Sequence, residues 1–316
     1  MSEPLTRRSL ARLLGAAAGA SLLEGPGIAV AAPGTSSPAP GPIRLSANEN
    51  PYGPCAPALA ALRDCGGAAA RYPGAARAEL REQLARLHGV AADQIALGCG
   101  SSDVLRMADA AFLGADRRIV AAEPTFEAVL GYAKVTRSEP VNVPLTADFR
   151  HDLPAMAAAC GASTGLVYVC NPNNPTGTIV SGRELEVFLD RVPPTCVVLV
   201  DEAYHHFVED PSYRSALEVA RGRENVIVAR TFSKIYGMAG MRLGYGVGSA
   251  ARVAAMDERS SYDNANEAAI AMALASLSDE ASAAERRRLL NDTRRWLCAE
   301  LDRDRRRYIP SHANFV

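Results

Sequence analysis

Lysine is nearly missing from this chain. Of its 34 basic residues two are lysines, Lys134 and Lys234, and the other 32 are arginines. Where positive charge alone was needed, arginine supplied it, so a retained lysine marks a place for chemistry that a permanently protonated guanidinium cannot do. Net charge is lacking too: at −1 there is no basic footprint for a nucleic acid. Seven cysteines are scattered at 55, 65, 99, 160, 170, 196 and 298 with no C-x-x-C and no Cys/His cluster, which argues against a zinc site. Neither G-x-G-x-x-G nor a Walker A sequence occurs, so a nucleotide-binding domain is a poor reading. Aromatics make up 6%, and no internal repeat is visible. The apolar run near the N-terminus, residues 13–23, is too short and too glycine-rich to span a membrane.

What is present is an ordinary globular composition. The chain has 316 residues, 48% hydrophobic and 22% charged, enough for one large or two moderate domains. Its first residues read as a targeting segment. Thr6-Arg7-Arg8-Ser9-Leu10 has the form of a twin-arginine signature, residues 13–23 form a weakly apolar stretch, and Ala29-Val30-Ala31 offers a cleavage site. Export by the twin-arginine route, to a periplasmic or secreted location, is the expectation. A Pro/Gly/Ser-rich linker, 32–42, follows.

The body alternates apolar runs with amphipathic ones. Strands are expected at 95–97, 118–121, 165–170, 196–200, 225–231 and 243–247. Helices are expected at 75–88, with Leu80, Leu84 and Leu87 on one stripe and Gly89 as its stop, at 103–112, and from a Ser181/Glu184 capping box to 191. Strands without polar alternation, separated by helices, predict an α/β fold with a mostly parallel sheet sandwiched by helices. Ligands of such sheets bind at the carboxyl ends of the strands. Four polar clusters follow strands directly: Gly100-Ser101-Ser102, residues 171–177, residues 201–204, and Thr231 to Lys234.

Each cluster suggests a partner. Lys234, at the mouth of a Ser/Gly loop, suits a carbonyl carbon. The strand–Gly–helix turn at Gly100, Ser101 and Ser102 suits an anion, with Ser233 and Arg242 as further donors. Asp201 ends an apolar run and needs a cation, either an arginine or a protonated ring nitrogen. Asn174 and Tyr204 can hydrogen-bond a ring oxygen, and Phe126 can stack on a ring face. One molecule that needs all of these is pyridoxal 5'-phosphate, whose lysine Schiff base with an acidic partner is a recurrent pattern.

With these motifs the sequence resembles the fold-type I pyridoxal-phosphate aminotransferases, and among them the histidinol-phosphate aminotransferase family. The resemblance runs in order from residue 45 to 316. It rests on Asn48-Glu49-Asn50-Pro51-Tyr52-Gly53-Pro54, Arg71-Tyr72-Pro73, Gly100 to Asp103, Pro124-Thr125-Phe126, Asn171 to Gly177, Asp201-Glu202-Ala203-Tyr204, Ser233-Lys234 with Arg242-Leu243-Gly244, and Ala313 to Val316. It implies a seven-stranded-type large domain and a smaller second domain. It implies that Lys234 forms the Schiff base and shuttles the proton, that Asp201 pairs with the pyridine nitrogen, and that Asn174 and Tyr204 hold the ring oxygen. Phe126 would stack, and Gly100, Ser101, Ser102, Thr231 and Arg242 would bind the phosphate. Tyr52 would reach the neighbouring subunit's phosphate, making a homodimer with shared sites. The corresponding division is a signal (1–31), linker (32–42), arm (43–70), cofactor domain (71–278) and the start of an incomplete small domain (279–316). There, residues 279–301 would be a helix with an apolar stripe, and 309–316 the first strand. Two stretches depart from the family: Ser102 replaces an acidic residue, and Ser260-Ser261-Tyr262-Asp263-Asn264 replaces a segment near the substrate. The family also continues past this point, through the arginine that grips the substrate carboxylate, so the expectation is a longer gene product. The expected activity is transfer of an amino group between an amino acid, or a histidinol-phosphate-like amine, and a 2-oxo acid. Decarboxylation of a phosphorylated amino acid and a non-catalytic cofactor-binding remnant are the alternatives.

Overall fold

The computed structural model describes residues 45–316. The twin-arginine segment and the linker lie outside the described residues. Seven strands form one sheet: β1 (Ile95–Gly98), β2 (Arg118–Glu123), β3 (Glu139–Pro144), β4 (Thr164–Cys170), β5 (Val197–Asp201), β6 (Val226–Thr231) and β7 (Gly244–Val247). Their order is β1-β7-β6-β5-β4-β2-β3. All neighbours are parallel except β7, which runs antiparallel to both β6 and β1. The expected mostly parallel sheet is therefore what forms. Because β7 runs backwards, the loop 232–243 begins and ends at the carboxyl edge of the sheet, and Lys234 is held there from both sides.

The strands are apolar at nearly every position because both faces are covered. On one face Val167, Val169, Val198, Val200 and Val228 pack against α5 (Leu153–Ala159), α6 (Gly182–Arg191) and α7 (Ala216–Val219). On the other, Leu166, Tyr168, Leu199 and Ile227 pack against α3 (Ser101–Phe112), α4 (Ala128–Thr136) and α8 (Ala250–Asp257). Burying each of these aliphatic side chains contributes roughly 1.5–3 kcal/mol. The strict alternation of faces matters for the site. Leu166, Tyr168 and Cys170 share one face of β4, and Cys170 lies in register with Asp201 of β5.

Helix α2 (Gly74–His88) ends at Gly89 with φ +65°, as its sequence predicts. Its stripe is narrower than expected: Leu80 and Leu84 are buried, but Leu87 faces outward. The segment expected to be an arm contains α1 (Ala56–Asp64), which packs with α2 and α9 (Glu267–Leu277) over Leu97, Tyr245 and Val247. The Ser181/Glu184 capping box is present as predicted, with Ser181 Oγ accepting from the Glu184 amide at 3.2 Å. All seven cysteines are free thiols.

The C-terminal segment differs from expectation in its tail. Helix α10 (Glu280–Arg303) forms as expected, with Leu290 buried and Trp296 61% exposed. Residues 304–316 contain no strand. They fold back irregularly instead. The His312 amide donates to Gly177 O at 2.7 Å and Asn314 Nδ2 donates to Asn48 O at 3.1 Å. A single strand would have left its backbone unpaired, whereas here the His312 amide is taken up by the Gly177 loop and the Asn314 side chain adds a second tie.

Candidate active site

Segments leaving the ends of β1, β2, β4, β5 and β6 enclose, with residues 46–49, a cavity of about 370 Å³. That is within the size range of sites for small molecules. Ser101, Ser102, Phe126, Asn174, Asp201, Tyr204, Thr231, Lys234 and Arg242 all line it. With Ser233, which lines it too, ten of the twelve residues singled out from the sequence thus converge. Gly100 stands just behind, and Tyr52 lies outside, on an exposed turn where its amide donates to Asn50 Oδ1 at 3.0 Å.

Lys234 Nζ donates to the carbonyls of Ala47 and Asn48, both at 3.1 Å, and lies 5.3 Å from the centre of the Tyr204 ring. Burial is the main influence on its amine and moves the pKa below the usual lysine value, outweighing the attraction of Asp201 and Glu49. A desolvated amine of lowered pKa suits a nucleophile. Tyr204 accepts a hydrogen bond from Asn48 Nδ2 at 3.2 Å, and the ring edge of Phe315 packs on it at 5.2 Å. Burial keeps the Tyr204 phenol neutral by raising its pKa.

Asp201 is 2% exposed. Its Oδ2 accepts from the Tyr168 hydroxyl at 2.9 Å and its Oδ1 from the Ala203 amide at 3.0 Å. Burial still pushes its pKa up to about 6, against the opposing pull of these hydrogen bonds. The arginine alternative for its partner fails. Arg230, the buried guanidinium of the neighbouring strand, is committed to Glu202, with Nε at 3.1 Å and Nη2 at 2.8 Å from Oε2. Glu202 also accepts from Ser215 Oγ, the Ala216 amide and Tyr213. Two consecutive acids therefore have separate fates: Glu202 is saturated inside the fold, and Asp201 faces the cavity without an ion-paired arginine among the described residues. Sequence reading missed the Glu202 network because its members come from separated segments.

At the other end of the cavity lies the first turn of α3. Its N-cap is Gly100, with φ +81° and no side chain to take the first amides. A Cβ at Gly100 would stand 2.2 Å from Arg242 Nη2, and one at Gly244 2.2 Å from the Ser101 amide nitrogen. The glycines let a helix N-terminus and a guanidinium meet, an anion-binding combination. Arg242 itself has φ +56°, and its Nη1 donates to Ala239 O at 2.9 Å. Thr231 Oγ1 donates to Ser233 Oγ at 2.9 Å, which fixes both hydroxyls beside it. Within residues 171–177, Asn174 faces the cavity, whereas Asn173 is internal and holds Thr125 Oγ1 at 2.8 Å. Of the departing stretch 260–264, Asn264 ties to Leu97 O at 2.8 Å and to Asp103 at 3.0 Å, while Tyr262 is fully exposed.

This fold and this edge of the sheet are those of an aminotransferase. Residues 40–316 match the family model described as aminotransferase class I and II, and the chain belongs to that family of pyridoxal-phosphate-dependent enzymes. It is 40% identical over 275 residues to a histidinol-phosphate aminotransferase of Moorella thermoacetica, covering 87% of this chain and 71% of the relative. It is 39% identical over 273 residues to an aromatic amino acid aminotransferase of Corynebacterium glutamicum (strain R), covering 86% and 79%. Among solved structures, the histidinol-phosphate aminotransferase of Sinorhizobium meliloti in complex with pyridoxal-5'-phosphate superposes with a TM-score of 0.80 at 28% identity, covering 84% of this chain and 72% of that one. The residues present fit that cofactor: a buried carboxylate with no ion-paired arginine among the described residues, a lysine whose pKa burial lowers, and a helix N-terminus cleared by glycines meet at one cavity.

Proposed function

We propose that this aminotransferase holds pyridoxal phosphate through Lys234 and moves amino groups between an amino acid and a 2-oxo acid. The observation that carries the reading is that Lys234 and Asp201 line the same cavity while Arg230 is engaged by Glu202. When bound, the cofactor supplies an electron sink for the pair left as the Cα–H bond of the amino acid breaks. Lys234 Nζ would hold the cofactor's aldehyde carbon, and its amine is placed to move the Cα proton. Asp201 keeps the ring nitrogen protonated. Asn174 and Tyr204 hold the ring oxygen, and Phe126 packs on the ring. Gly100, Ser101, Ser102, Thr231 and Arg242 hold the phosphate. Residues 71–278 form the cofactor-holding body, with the arm before it and 279–316 after it. Borohydride reduction of the purified protein followed by peptide mapping tests the reading. The adduct is expected on Lys234 and lost in Lys234→Arg, and an adduct on Lys134 sinks it. Mixing the holoprotein with amino acids should yield 2-oxo acid; release of carbon dioxide instead would favour the decarboxylase.

The chain works as a homodimer in which Tyr52, exposed and outside its own cavity, serves the neighbour's phosphate site. It is exported folded, with cofactor in place, by the twin-arginine route. Replacing Arg7 and Arg8 with lysine should retain it in the cytoplasm, and continued export of that variant would remove the reason for a folded-protein route.

A further inference from the structure

We propose that Tyr168 is a positioning residue for the reaction, holding the Asp201 carboxylate ionised and fixed so that it can pair with the cofactor's ring nitrogen. The inference rests on the reading of Asp201 as that partner. Tyr168 sits in the middle of β4 among Leu166, Leu199 and Ile227, where a hydroxyl has no packing reason to be. It is fully buried, and its hydroxyl donates to Asp201 Oδ2 at 2.9 Å. A buried hydroxyl is tolerated when it is paired, and a neutral donor to an anion is among the stronger pairs.

The geometry divides the carboxylate's needs in two. The Ala203 amide binds Oδ1 and Tyr168 binds Oδ2. One donor comes from the segment after β5 and the other from β4, so the carboxylate is fixed from two elements and is not free to turn about χ2. The electrostatics point the same way. Burial raises the proton affinity of Asp201, and Glu202 beside it adds to that. Tyr168, the Ala203 amide and Lys234 oppose it. The other titratable groups at this spot are Cys170 and Tyr204, both kept neutral by burial. Tyr168 is itself held neutral, its pKa raised by burial and then by Asp201, so it remains a donor throughout the working range. With Phe at 168 the ring packing remains and one hydrogen bond to the anion is lost. The Asp201 carboxyl then takes a proton at higher pH, and a protonated acid no longer favours a protonated ring nitrogen.

The test is the pH dependence of cofactor affinity, measured by visible absorbance on re-titrating the resolved full chain with pyridoxal phosphate from pH 5 to 8.5. Tyr168→Phe is expected to move the acid limb of the affinity profile upward by about one pH unit, the scale of one hydrogen bond to a charged group. Affinity at pH 8.5 should stay within about threefold of the parent. Asp201→Asn should abolish the limb. If that limb survives in Asp201→Asn, the reading of Asp201 has failed. If Asp201→Asn abolishes it but Tyr168→Phe leaves it in place, or lowers affinity equally at every pH, Tyr168 is a core residue and the inference is overturned. A melting curve of each variant at pH 8 separates loss of fold from loss of affinity.

Discussion

Asp201 and Glu202 are neighbours in sequence with opposite tasks, and the difference is set by what each meets. Glu202 is ion-paired and hydrogen-bonded on all sides. Asp201 has hydrogen bonds but no guanidinium among the described residues, and burial lifts its pKa from 3.8 to about 6. The sign of the consequence follows. An acid with a raised folded-state pKa binds more protons folded than unfolded, so without cofactor it lowers stability as pH rises from 4 through 6. Cofactor-free Asp201→Asn should therefore be more stable than the parent above pH 6, by up to about 3 kcal/mol. The difference should close toward pH 4, as denaturant melts can show. The same variant, loaded with cofactor, should carry out half-transamination about 100-fold more slowly, because a fixed charge aimed at the ring is gone. Unchanged rates in stopped-flow would make Asp201 a mere core acid.

At the scale of elements, the site is made where strand ends meet the start of α3. Gly244 begins β7 with its Cα against the first turn of that helix, and a methyl there would fall 2.2 Å from the Ser101 amide nitrogen. Gly244→Ala should push the helix N-terminus away from Arg242 and weaken cofactor binding at least about tenfold, the effect of losing one charge-assisted hydrogen bond. Equilibrium titration measures it, and affinity equal to the parent would remove this cradle from the phosphate site. Most of these elements were legible because the strands lack polar alternation and the motifs follow them directly. Strand β3 was not: Pro140 and Pro144 and an exposed edge disguise it. Nor was α9, whose Ala-rich surface carries little helical periodicity. The tail 309–316 was misjudged because the strand there was carried over from the resembled family, while in this chain its hydrogen bonds go to Gly177 and Asn48. In the site, Lys234 and Asp201 could be read from the sequence. Tyr168 could not, since within a run of Leu and Val it looks like packing.

At the scale of the whole molecule, the unanswered group is Tyr52. The sequence motif that contains it belongs with the cofactor residues, yet it stands 47% exposed and does not line its own chain's cavity. Residues 46–49, just before it, do close that cavity, so the chain leaves the site as it reaches Tyr52. Leu59 and Tyr72, from the same N-terminal part, are also exposed. A side chain that leaves its own site can serve a neighbour's, and a mixed dimer decides. Lys234→Ala chains cannot hold the aldehyde. Tyr52→Phe chains lack the hydroxyl and should bind cofactor about tenfold more weakly, the scale of a hydrogen bond to a charged group. In a dimer of one of each, the intact Lys234 faces the intact Tyr52 of the other chain. One site per dimer should then bind with parental affinity, although neither homodimer does. If Tyr52 served its own chain, the mixed dimer would bind no better than Tyr52→Phe alone. Sedimentation fixes the premise, for a chain that stays monomeric with cofactor bound has no neighbour to serve.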